Sequence, residues 1–143
     1  MIEGSTVKHI LLALLLAAAP LTAQAQDNRI TVELNKLEAS DDGACRAFFL
    51  FRNSTRATYE AFELSIAVLD TDGVIDRLLS IDAAPLPVQR TTLKLFEIPE
   101  IGCESLSELI VHDIPACKAE NAEPADCYGL VDWVSRTDVR LGQ

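Results

Sequence analysis

From Ile30 onward the apolar residues of this chain recur at every second position, the period of a strand with one buried face. Ile30, Val32 and Leu34 fall on one side, with Thr31, Glu33 and Asn35 on the other. Ala39-Ser-Asp-Asp-Gly43 is turn chemistry, after which Cys45–Phe51 places Cys45, Ala47, Phe49 and Phe51 together. Asn53-Ser-Thr-Arg56 interrupts the alternation. Phe62, Leu64, Ile66 and Val68 then alternate with Glu63, Ser65, Ala67 and Leu69 in the clearest strand of the sequence. Asp70-Thr-Asp-Gly73 predicts a hairpin in which the glycine supplies a positive φ. Strands are expected again over Val74–Ile81, Thr91–Ile98, Leu109–Ile114 and Leu130–Ser135, the last holding Trp133 as a core residue. Ala84-Pro-Leu-Pro87 suits a crossing between two sheets.

About seven short strands in roughly 100 residues predict an all-β, immunoglobulin-like antiparallel β-sandwich. Glu104–Val111 admits a helical turn instead, since Leu106, Leu109 and Ile110 have i, i+3, i+4 spacing. There is no internal repeat and no low-complexity tract.

The alternating part is preceded by a different pattern. Ile10 to Leu21 is an uncharged apolar run behind Lys8 and His9, and it ends at Ala23-Gln24-Ala25, a small-x-small cleavage pattern. The run is shorter than the roughly 20 residues that cross a bilayer. Residues 1–25 are therefore expected to be a cleaved secretory signal, with 26–143 as a single domain and no stable membrane insertion after cleavage. Adjacent arginines are absent, which favours the general secretory route over the twin-arginine one.

The chain carries 12 Lys and Arg against 22 Asp and Glu, a net charge of −10. Removing Lys8 and Glu3 with the signal leaves that balance unchanged. An acidic surface repels nucleic acid and anionic lipid and favours cationic partners or divalent ions. Four cysteines, Cys45, Cys103, Cys117 and Cys127, follow the signal, and an even count in a small exported domain reads as two disulfides. If successive strands reverse direction, Cys45 and Cys103 lie at one end of the domain and Cys117 and Cys127 at the other. Cys45–Cys103 with Cys117–Cys127 is the expected choice among the three possible pairings.

Candidate chemistry is sparse. His112 is the histidine that remains after processing, and a nucleophile would have to come from a serine such as Ser105 or Ser107. Asp113 follows it, and neighbours in a regular strand point to opposite faces, so a preformed dyad is not expected. No Gly-x-Ser-x-Gly elbow occurs, and no enzymatic activity or cofactor is assigned. Asp70 and Asp72 in the hairpin, and Glu120, Glu123 and Asp126 between the last two cysteines, are weak cation-site candidates. The first group departs from the EF-hand spacing of its glycine and final glutamate. Asn53-Ser54-Thr55 matches a glycosylation acceptor, though a strand-to-strand turn explains it equally. Arg46, Phe48, Leu50 and Arg52 share one side of their strand and form a candidate partner surface, with a covered second sheet face as the alternative.

The stretch Ala44-Cys-Arg-Ala-Phe-Phe-Leu-Phe-Arg-Asn53, then Leu64–Gly73, Phe96-Glu-Ile-Pro, Cys103 and Ile114-Pro-Ala-Cys117, resembles an uncharacterised family of small exported proteins of Gram-negative bacteria. Members often carry twin-arginine-like signals, which this chain lacks. The resemblance implies a periplasmic location and two disulfides, and it supplies no activity. The expectation is a periplasmic binding module whose partner is an envelope or periplasmic protein, not nucleic acid. A divalent-cation or cationic small-ligand binder is the alternative.

Overall fold

The computed structural model describes residues 27–143, so the signal expected over 1–25 lies outside the described residues. Eight strands follow in the described part: β1 Ile30–Ala39, β2 Cys45–Asn53, β3 Tyr59–Asp70, β4 Ile75–Asp82, β5 Arg90–Ile98, β6 Leu106–Ala119, β7 Val131–Ser135 and β8 Arg140–Gly142. They form two four-stranded sheets in the orders β5-β2-β1-β7 and β4-β3-β6-β8, which makes the domain an all-β sandwich.

The alternation places the core. Ile30, Val32, Leu34, Phe49 and Phe51 from one sheet meet Phe62, Leu64, Ile66, Val68, Leu109 and Val111 from the other, all almost fully buried. Phe51 and Phe62 meet edge to face across the sandwich, 6.4 Å between centroids at 78°, and Phe49 meets Phe96 at 5.9 Å and 67°. Tilted contacts of this kind add about 0.5–1.5 kcal/mol each to what area burial contributes. Trp133, paired with the buried Val32, packs against the core as expected, but it is only half-buried because β7 is a sheet-edge strand; its ring lies 6.2 Å from that of Tyr128.

Turn chemistry sets the two hairpins. Gly43 and Gly73 take φ of +83° and +77°, values at which a Cβ is strained. The Asp70 carboxylate accepts hydrogen bonds from the Asp72 and Val74 amides, each at 2.9 Å, which closes the β3–β4 turn. The segment with Ala84-Pro-Leu-Pro87 does carry the chain from one sheet to the other, through a cis Ala84–Pro85 bond. The region offered as a helical turn contains only the 3-10 turn Cys103–Ser105 before β6 begins.

Two features of the chain end were not expected. The final segment is two strands, and both pair in parallel: β7 with β1 and β8 with β6. Between them the chain crosses sheets, held by Ser135 Oγ donating to the Val139 carbonyl at 2.6 Å and by the Arg136 amide donating to the Leu34 carbonyl at 2.8 Å. This crossing closes one side of the sandwich. The opposite side is left with two free edges, β5 and β4.

The disulfides are Cys45–Cys103 and Cys117–Cys127. The first ties the start of β2 to the turn before β6 and thus joins the sheets. The second closes the acidic loop onto β6. Loop-closure entropy gives about 4 kcal/mol for the separation of 58 residues and about 3 kcal/mol for that of 10. Such bonds persist in an oxidising compartment.

Candidate functional site

The candidate strip Arg46, Phe48, Leu50 and Arg52 lies on the outward face of the β5-β2-β1-β7 sheet, each residue half-buried. Register shows what surrounds it. Leu50 stands between Leu93 of β5 and Glu33 of β1, and Phe48 between Leu95 and Lys36. Arg52 is flanked by Thr91 and Thr31, and Arg46 by Glu97 and Glu38. The sheet thus presents two apolar rows, Leu93–Leu50 and Leu95–Phe48, bordered by charged rows.

Its cations are already engaged. Arg52 Nη1 donates to Glu33 Oε2 at 2.9 Å, and Arg136 approaches the same oxygen at 3.5 Å. Asn35 Nδ2 donates to the other Glu33 oxygen at 2.7 Å. Glu33 is only 2% exposed although it faces outward, because these side chains cover it. The Asn35 hydrogen bond, then that of Arg52, holds its carboxyl below the ordinary 4.5. Arg46 sits 3.5 Å from Glu38, and the Lys36 ammonium lies 5.2 Å over the Phe48 ring. What remains uncovered is aliphatic: Leu93 and Leu95 are 61% and 53% exposed. Sequence reasoning passed over both. Their alternation with Thr92, Lys94 and Phe96 was visible, but not that β5 is an edge strand with nothing packed on its outer face.

The free edges are guarded. Lys94 of β5 turns inward and donates to the Ala84 carbonyl at 3.2 Å. Arg77 of β4 pairs across the ladder with Val68, a core residue, and donates to the Pro99 carbonyl beyond β5. Inward-pointing cations on edge strands oppose pairing with another chain, since a new strand would bury the charge. The accessible surfaces left by this arrangement are the outer sheet faces rather than the β4 and β5 edges.

His112 and Asp113 both point outward, which corrects the expectation of opposite faces. The ladder slips between Ser65 and Ile66, so that Val111 and Ile114 face the core with two residues between them. A bulge of this kind places consecutive side chains on one surface. Asp113 nevertheless accepts from the Ile114 amide at 2.8 Å, while His112 Nε2 meets Ser65 Oγ at 2.8 Å. The serine is thus neither Ser105 nor Ser107; Ser107 Oγ donates to the Asp70 carbonyl. Among the described residues no carboxylate hydrogen-bonds the imidazole, and the pair lies on an open sheet face.

The acidic candidates are dispersed. The Asp70 carboxylate serves its own turn, beside an exposed Asp72, and Asp126 accepts from the Tyr128 amide at 3.1 Å. Glu120 and Glu123 are exposed in the disulfide loop. No group of three His, Cys, Asp or Glu that could hold a metal ion occurs among the described residues. Asn53 is 2% exposed and wholly engaged, so the folded domain withholds it from glycosylation. A cleft of about 580 Å³ lies between the β1 bulge and the β7–β8 crossing, with Asn35, Lys36, Glu104, Arg136 and Asp138 at its walls. None of the binding or metal candidates lines it.

No family model matches this chain, and no curated protein matches it in sequence. Among solved structures it is similar to IrmA from Escherichia coli, with 14% identity and a TM-score of 0.57, over 73% of this chain and 90% of that one. At this identity the likeness shows a shared fold alone.

Proposed function

We propose that this chain is a periplasmic, disulfide-stabilised binding module that takes an envelope or periplasmic protein on the outer face of its β5-β2-β1-β7 sheet. The observation that carries this reading is the exposure of Leu93 and Leu95, 61% and 53%, beside Leu50 and Phe48 in adjacent register. Contiguous exposed aliphatics on a sheet face are the mark of a contact surface. The bordering charges nearly balance, with Arg29, Lys36, Arg46, Arg52 and Arg136 against Glu33, Glu38, Glu97 and Asp132. On a chain of net charge −10 this is a near-neutral island, the surface least opposed to approach by another acidic protein. Export is supported by the signal pattern and by two disulfides. Binding is preferred to catalysis because the Ser65–His112 pair lacks an orienting acid and a pocket.

The test is crosslinked capture of the processed protein from the periplasm of its own host. The expected result is one partner recovered near stoichiometrically by the unaltered protein and lost on Leu93→Ser with Leu95→Ser. A partner retained by that double variant would overturn the reading.

A further inference from the structure

The opposite surface of the sandwich carries a second, differently charged patch. Ladder register on the outer face of the β4-β3-β6-β8 sheet sets Leu78 opposite Ala67, with Ile110 on the far side of Ala67, and sets Ile75 opposite Leu69. Ala67 and Leu69 lie outside the sandwich core yet are only 6% and 8% exposed, covered by these neighbours. Leu78 and Ile75 remain 63% and 60% exposed, and Val74 in the adjoining turn 59%. This aliphatic centre has an acidic margin: Glu63, Asp82, Glu108 and Asp113. Arg140 offsets only Glu108.

The unpaired acids have an arrangement that asks for a cation. Glu63 and Asp82 stand directly opposite each other in the β3–β4 ladder, where like charges destabilise. Glu63 accepts only from the Ser80 hydroxyl, Asp82 from the Ala84 amide, and Asp113 from the Ile114 amide. None of the three forms an ion pair among the described residues. A cationic group laid over them relieves that repulsion, while the aliphatic centre asks for apolar cover.

We infer that the β4-β3-β6-β8 face is a second docking surface, and that its occupant is a basic amphipathic polypeptide segment with aliphatic side chains on one side and Lys or Arg at its margins. Charge complementarity selects this partner over a second copy of this chain, whose acidic margins would meet like charge. It also separates this face from the near-neutral one across the sandwich. The domain can then hold two unlike partners at once.

The probe is a short fluorescent peptide of leucine and lysine alone, with the leucines on one face, titrated into the processed protein by anisotropy. Binding is expected, about tenfold weaker when ionic strength is raised from low to well above physiological, since marginal charge pairs are screened. Leu78→Ser with Ile75→Ser is expected to weaken it about tenfold by removing apolar contact, and Glu63→Gln with Asp82→Asn by a similar factor. Leu93→Ser with Leu95→Ser is expected to leave it unchanged, which separates this inference from the reading of the other face. Equal binding of a leucine–glutamate peptide, insensitivity to both β4-face variants, or no binding at all would overturn it. So would a dimer in sedimentation that Leu78→Ser dissolves, which would make the patch a self-interface.

Discussion

Asn53 is where one side chain holds the most structure. It ends β2, is 2% exposed, and its amide reaches the segment that carries the chain between sheets. Nδ2 donates to the carbonyls of Ala57, Leu86 and Pro87 at 2.8, 2.9 and 3.2 Å. Oδ1 accepts from the Thr55 amide at 3.0 Å and from its hydroxyl at 2.7 Å. In Asn53→Ala, Leu86 O keeps the Tyr59 amide and Ala57 O keeps the Thr55 hydroxyl. Thr55 N–H keeps nothing. A stranded backbone group costs about 1–3 kcal/mol, and the lost side-chain volume adds to this. The expected loss is about 2–4 kcal/mol, a large share of the 5–15 kcal/mol of an ordinary domain. For a domain of this size it lowers Tm by roughly 8–16 °C. Asn53→Asp is expected to be at least as damaging, because a carboxylate then faces three carbonyls. Thermal unfolding followed by far-ultraviolet circular dichroism, with disulfides intact, measures both. A fall of less than about 4 °C for Asn53→Ala, equivalent to roughly 1 kcal/mol, would refute the reasoning.

Two further outcomes follow from the same physics. Glu33 has its carboxyl held below 4.5 by Asn35 and Arg52, so its ionised form stabilises the fold above that pH. The contribution fades as pH falls through the lowered value. Glu33→Gln is expected to cost about 1–2 kcal/mol at neutral pH, because Arg52 and Arg136 remain partly hydrated, and to flatten Tm against pH below about 4.5; an unchanged acid profile in urea or thermal melts would count against it. Lys94→Val removes the inward cation from the β5 edge. Size-exclusion chromatography should then show concentration-dependent association that the unaltered chain lacks, and a monomer at all concentrations would show that the lysine does not guard the edge.

Much of this fold was legible before any coordinates, and for a local reason. Alternation decides which side of a strand is apolar, and Gly43 and Gly73 behind Asp-rich turns decide where it reverses, so seven of the eight strands could be placed near their true positions. Cysteine pairing followed from the same reversal of direction. What the chain alone could not decide depends on which strand lies beside which. That β5 and β4 are edges, leaving Leu93, Leu95, Leu78 and Ile75 bare, follows from sheet order. That His112 and Asp113 share a surface follows from a slip in the β3–β6 ladder, and a single inserted residue leaves no periodic trace. Glu33 reads as an exposed strand acid until Arg52 and Arg136, distant in sequence, are brought over it. Period-two patterning is a property of one strand, whereas exposure of its outer face is a property of its neighbours.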